Sequence, residues 1–193
     1  MLEKMLLKEY TKQDLRKQYK EIRHSLVNLI PEKWEGIYLY ASVLNQKGGE
    51  MYFYYTPKKF FKHKPINCYE IASRFGIDEI EYNEALEKLY KKIKRLYTMN
   101  ARKFSNITIK MEDGQFTIEY HYNNIMHSMY TDEQRHLIWY YTNLHIPMDA
   151  LPDEDKILVE NYEEESSFRP LIYTEDIEES DSELEIKNQI LKY

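Results

Sequence analysis

The stretch NITIKMEDGQFTIEYHY, residues 106–122, decides the fold. Ile107, Ile109 and Met111 alternate with polar residues, and beyond Asp113-Gly114 the alternation resumes at Phe116, Ile118, Tyr120 and Tyr122. A period of two is that of a strand, whose successive side chains point to opposite faces. Asp-Gly supplies the positive φ angles of a tight hairpin turn. The spacing therefore predicts a β-hairpin with these apolar side chains on one face and His121 on the polar one.

Upstream, Asp78 and Glu81 are spaced as a capping box, and Tyr82, Leu86, Leu89, Ile93 and Leu96 follow at intervals of 4, 3, 4 and 3. That is one stripe of an amphipathic helix. Residues 57–77 show no clean period and read as a connector. Before them, Ile37, Leu39, Ala41 and Val43 alternate with Tyr38, Tyr40 and Ser42, Gly48-Gly49 permits a tight turn, and residues 51–55 alternate again, which predicts another hairpin. A first helix precedes it, opened by Thr11, striped by Leu15, Tyr19, Ile22, Leu26 and Leu29, and stopped by Pro31. Downstream, Thr131 and Gln134 form a capping box that opens RHLIWYYTNLHIP, residues 135–147, as a helix ending before Pro147. The order α-ββ-α-ββ-α predicts an α+β fold: a four-stranded, largely antiparallel sheet from two hairpins, with helices packed on it.

At 193 residues the chain suits one domain with an appendage. The net charge of −6 is unevenly spread: from Asp149 onward there are fifteen Asp/Glu against four Lys/Arg, while residues 1–148 carry eighteen against twenty-three. The expected organisation is a mildly basic domain, 1–148, and an acidic C-terminal extension, 149–193, partly docked or mobile. Its apolar residues Ile157, Leu158, Phe168, Leu171 and Ile172 favour docking of a part. The single cysteine, Cys68, excludes an intramolecular disulfide framework and a multi-cysteine metal site. The N-terminal residues lack the pattern of a signal peptide, and no run reaches about 18 apolar residues, so the expected location is cytoplasmic, without membrane insertion.

His121, His127, His136 and His145 lie within 25 positions, and imidazole is the commonest metal ligand. On one helix, however, His136 and His145 are separated by about 900° of rotation and face opposite ways. Asp113, Glu119 and His121 suggest a nuclease-like set, but Asp113 and Glu119 would be about 20 Å apart along an extended strand, and Asp113 is explained by its turn. Nothing around Cys68 points to an activated thiol. There is no H-E-x-x-H, G-x-S-x-G or G-x-x-x-x-G-K-[ST] motif, and the glycines are taken up by turns and element boundaries. No catalytic residue, cofactor or metal is expected.

Tyrosines give a different signal. Tyr38, Tyr40, Tyr52 and Tyr54 share the strand face opposite Leu39 and Phe53. If helices cover the aliphatic face, these rings form an outer surface of the kind enriched at interfaces. Alternatively they are cross-strand packing, covered by a helix or by the tail. The acidic clusters, with Glu163, Glu164, Glu165 and Asp176 among them, are either solvated or a surface that competes with nucleic acid for a basic partner.

Three stretches then resemble a known family when taken in order: IPEKWEGIYLYASVLNQKGGEMYFYYTP (30–57), SNITIKMEDGQFTIEYHY (105–122) and QRHLIWYYTNLHIP (134–147). The features that carry the resemblance are Ile30-Pro31 with Trp34-Glu35, Gly48 to Glu50, and Arg135 with Trp139. They resemble the YezG/EsaG-like immunity (antitoxin) family of Gram-positive bacteria. The connector 57–77 is more basic than that pattern, and the tail from about Asp149 lies outside it. The resemblance implies a non-enzymatic inhibitor that binds the C-terminal toxin domain, often a nuclease, of a protein exported by type VII secretion. The partner-binding residues expected on this reading are Tyr38, Tyr40, Tyr52, Tyr54, Glu163, Glu164, Glu165 and Asp176. The partner is then a cognate protein toxin, with no direct contact to nucleic acid and the oligomeric state open. The alternatives are a nucleic-acid-binding module using a basic, tyrosine-rich surface, and a metal-dependent hydrolase.

Overall fold

The computed structural model describes residues 10–44, 48–58, 64–165 and 170–177. Elements follow in the order α1 (Lys12–Val27), β1 (Trp34–Ser42), β2 (Met51–Pro57), β3 (Ile66–Asn67), α2 (Cys68–Phe75), α3 (Glu79–Met99), β4 (Asn106–Glu112), β5 (Gln115–His121), α4 (Asp132–Asn143), α5 (Asp153–Glu165) and β6 (Leu171–Asp176). Short 3-10 turns lie at Ile125–His127 and Met148–Ala150. The fold is α+β, as the periodicities predict, but the sheet has six strands rather than four, in the order β3-β2-β1-β4-β5-β6. Every described pairing is antiparallel.

The β4–β5 hairpin turns at Asp113 and Gly114 with φ of 51° and 73°, the two left-handed residues of its tight turn. This fixes the register Glu112↔Gln115, and Met111, Ile109 and Ile107 then sit opposite Phe116, Ile118 and Tyr120. All six are essentially buried. The β1–β2 connection needs its glycine for a second reason. A Cβ on Gly49 would lie 2.2 Å from the Ser42 carbonyl oxygen and 2.3 Å from the Tyr90 hydroxyl, which donates to that same carbonyl.

Helices α1 and α3 cover the aliphatic face. Thr11 and Asp14 close a full capping box at the start of α1. Asp78 accepts from the Glu81 amide at 2.9 Å to start α3. The stripes Tyr19, Ile22, Leu26 and Tyr82, Leu86, Leu89, Ile93, Leu96 are all buried. Gln18 Nε2 donates to the Lys92 carbonyl at 2.9 Å, joining the two helices. Tyr19 reaches the sheet through the Tyr120 hydroxyl at 2.8 Å, and Tyr97 through Phe104, whose ring also packs on Tyr120.

The added elements come from the two segments without a clean period. In the connector, Asn67 caps α2 by accepting from the Tyr69 amide, and Gly76 ends it in the left-handed region at φ 65°. Eight helical residues and a two-residue strand are too short to print a period. In the acidic segment, α5 packs against α4 and buries Val159 fully, while β6 pairs with β5 along its whole length. Within these elements Ile157, Leu171 and Ile172 are exposed, and Phe168 lies outside the described residues. No helix among the described residues is long and apolar enough to cross a membrane.

Candidate functional site

The reverse face of the sheet carries the polar and aromatic side chains. Strand alternation places Tyr38 and Tyr40 on β1, Tyr52 and Tyr54 on β2, and Thr108 and Lys110 on β4 together, because Tyr38 pairs with Tyr54 and Lys110, and Tyr40 with Tyr52 and Thr108. The sequence grouping of the four tyrosines thus holds in space. What covers them differs from an open outer surface. Helix α4, opened by the Thr131–Gln134 capping box, lies across them, and Trp139 is its hub. The Trp139 indole is 7% exposed, donates from Nε1 to Thr108 Oγ1 at 2.9 Å, and meets the rings of Tyr52 at 5.2 Å and Tyr40 at 5.9 Å.

Exposure follows from that cover. Tyr38, Tyr40 and Tyr52 are each 6% exposed, and Tyr54 alone is half-buried. Tyr40 and Tyr52 stack with centroids 5.0 Å apart, and His136 stacks on Tyr52 at 4.1 Å. The Tyr54 hydroxyl is 2.9 Å from His136 Nε2, and Tyr38 donates to Glu112 Oε2 at 2.8 Å. Rings that would stack on bases are therefore already occupied by Trp139 and His136, which removes the tyrosine platform of the nucleic-acid alternative. Burial raises all four phenols above their ordinary value, so they act as neutral hydroxyls.

Beside Trp139 a cavity of about 340 Å³ opens between α4, α5 and the β4–β5 hairpin. Lys110 Nζ binds Glu119 Oε1 at 2.7 Å, and His121 Nε2 lies 3.8 Å from Glu119 Oε2. Burial lowers the His121 imidazole below its ordinary value, against the pull of Glu119 and with the help of Lys110. Arg135 closes one side, held by the Tyr130 carbonyl and Asp132. Glu119, engaged by Lys110, is not paired with Asp113, which sits in the exposed turn. Among the described residues no group of three or more His, Cys, Asp and Glu is placed to hold a metal ion.

The outside of this second layer has another character. Met126, Met129, Ile157 and Ile172 are all more than half exposed, between 53% and 76%. Acidic Asp132, Glu133, Asp153, Glu154, Glu160 and Asp176 are exposed on α4, α5 and β6. Asp176 accepts from Gln115 Nε2 at 3.4 Å. Glu163, Glu164 and Glu165 belong to the last turn of α5, and their side chains lie outside the described residues. Sequence reasoning missed both the exposed methionines and the Lys110–Glu119 pair. The pair was within reach, because the Asp-Gly turn sets Thr108 opposite Glu119 and Lys110 opposite Thr117, which makes Lys110 and Glu119 diagonal neighbours.

One sheet, closed on its aliphatic face by two long helices and on its aromatic face by a shorter acidic layer, defines an α+β protein. Its sequence matches the family described as "Immunity protein YezG-like" over residues 15–158, and the chain belongs to that family. It is 30% identical to the "Immunity protein YezG" of Bacillus spizizenii over 131 residues, which is 65% of this chain and 80% of the relative. It is also 30% identical to the "Immunity protein YezG" of Bacillus subtilis over 150 residues, 75% of this chain and 95% of that relative. The family match extends past Asp149 into α5, so the start of the acidic segment lies within the family's span.

Proposed function

We propose that this chain is an immunity protein that neutralises a cognate secreted toxin by stoichiometric binding, without catalysis, inside the cell that makes the toxin. The observation that carries the reading is the exposure of Met126, Met129, Ile157 and Ile172, together with exposed acidic side chains on α4, α5 and β6, in a member of this family. On this reading Tyr38, Tyr40 and Tyr52 serve binding by holding α4 in place, and Tyr54 stands at the rim of the contact. Glu163, Glu164, Glu165 and Asp176 add to an acidic surface. Such a surface suits a toxin of nuclease type exported by type VII secretion, because a groove that tracks a phosphate backbone is basic. Nothing in the proposal requires a metal or cofactor, and nucleic acid is the competitor rather than the ligand.

The test is coexpression of the full chain with the toxin domain encoded beside it, followed by titration of the purified pair. Growth should be rescued, and toxin activity should reach its floor near one chain per toxin. Complete inhibition far below that ratio would mean turnover and overturn the stoichiometric mechanism. No rescue at any ratio would overturn the immunity reading.

A further inference from the structure

The two edges of the sheet end differently. At one, β3 is two residues long, with Pro65 before it and α2 directly after it, an edge too short to pair with another strand. At the other, β6 runs for six residues and no strand pairs with its outer side among the described residues.

Register identifies the backbone groups that face outward. The Ile177 amide donates to the Gly114 carbonyl at 2.7 Å, and the ladder continues with Glu175 opposite Phe116, Tyr173 opposite Ile118 and Leu171 opposite Tyr120. Antiparallel pairing alternates, so these residues turn N–H and C=O toward β5, while Ile172, Thr174 and Asp176 turn theirs away. The side chains of all three are exposed, Ile172 at 59%. The strand itself is firmly held. Tyr173 packs on the Tyr19 ring at 4.6 Å, Arg23 on α1 lies 3.6 Å from Glu175, and the Thr117 and Thr174 hydroxyls are 3.2 Å apart. A row of oriented donors and acceptors on a fixed strand is a template for another strand.

We propose that the outer edge of β6 binds an extended, basic segment of the toxin, which adds a strand to the sheet. This rests on the immunity reading above and says how the complex is made. Charge selects the occupant. Residues 149–177 hold ten Asp/Glu against two Lys/Arg, so a second copy would bring like charge against like. In the symmetric register that uses all three outward residues, a second copy would also set Ile172 opposite Asp176. A basic strand meets neither obstacle, and its side chains can pair with Asp176 while its apolar positions cover Ile172.

The test uses the full chain and a catalytically inactive form of the toxin domain from the rescue experiment. Thr174→Pro removes one outward donor and places a ring on the outer edge, leaving the inward groups of Tyr173 and Glu175 intact. It gives up the Thr174 hydroxyl contact to Thr117, so it should lower the melting temperature by no more than a few degrees while weakening binding by about tenfold or more. In the wild type, the Ile172, Thr174 and Asp176 amides should exchange freely in the free chain and become protected in the complex, as read by NMR. Wild-type binding with these amides unprotected, or unweakened by Thr174→Pro, overturns the edge proposal and leaves the immunity reading standing. Wild type that neither binds nor rescues overturns both. Protection already present in the free chain means that the edge is filled, by a second copy if dilution removes the protection and by the chain's own residues if it does not, and either overturns the proposal. Should the variant fail to fold, the wild-type exchange decides alone.

Discussion

Beneath α1 and α3 the sheet presents Leu39, Phe53, Ile107 and Ile109, all fully buried, whereas beneath α4 it presents Tyr40, Tyr52, Tyr54 and Thr108. The first face is mainly apolar area, covered by long capped helices of 16 and 21 residues, with polar links such as the Tyr120–Tyr19 hydroxyl bond. The second is closed by a 12-residue helix whose buried groups carry hydroxyls, an indole N–H and an imidazole, each needing a partner. A cavity remains on the second face, beside Trp139. The difference teaches that burial alone does not separate the faces. What separates them is that the second face joins its covering helix to the sheet through stacked aromatic rings and the Trp139–Thr108 bond, which fix the position of an outer surface.

The largest test of that contrast is a pair of truncations. Phe53→Ala on the aliphatic face leaves a closed void and should cost about 3–5 kcal/mol in urea unfolding. Trp139→Ala should fall at the lower end, about 3 kcal/mol, because the neighbouring cavity already admits relaxation around the site. Folded Phe53→Ala should still bind toxin as the wild type does, whereas Trp139→Ala should lose stability and binding together as α4 shifts. Equal costs and equal binding in the two variants would erase the distinction between the faces.

The first face was legible in the sequence and the second only in part. Stripes at 4, 3, 4, 3 and an Asp-Gly turn are strong local signals, and they placed α1, α3 and the β4–β5 hairpin. Trp139, a feature of the family resemblance, is buried at the centre of the second face. The same alternation grouped the four tyrosines correctly but could not say which helix would cover them, because a 12-residue helix with aromatics all round points no single face inward. Elements such as β3, α2 and β6 escaped for a different reason. A two-residue strand has no period, and β6 shows little apolar alternation because its outer edge and one side stay in solvent. Its position comes from pairing with β5 and from Arg23 and Tyr19, contacts remote in sequence.

A smaller effect, confined to the second face, should appear on acidification. Burial holds the His136 imidazole below its ordinary value of 6.5. Below that ordinary value the unfolded chain takes up a proton that the folded chain refuses, so stability present above it is lost as pH falls and levels off beneath the folded value. His121 has the same sign. Urea midpoints between about pH 7.5 and 5.5 should therefore fall less in His136→Gln than in the wild type. Phe53 lies on the opposite face of the sheet from His136, so Phe53→Ala should keep the wild-type slope. A wild-type slope retained in His136→Gln would remove His136 from the pH response.

The smallest expected effect concerns charge alone. Replacing Glu154 and Glu160 on α5 by Gln should leave the fold unchanged, because both are exposed. If these carboxylates steer a basic toxin toward the second face, association at low salt should slow by about tenfold, and the difference should close as salt screens the field. Dissociation should change little, since rim charges act mainly on encounter. The control lies on the opposite face: Lys88 and Lys91 are exposed on α3, paired with Glu84 and Glu87 one turn away. Replacing both lysines by Gln should change the association rate by less than about twofold, because they point away from the docking side at more than a screening length. A loss from the α5 variant that persists undiminished at high salt would mean a direct contact rather than steering. Equal effects from the α5 and α3 variants would mean that only net charge matters, and the two faces would then be electrostatically equivalent.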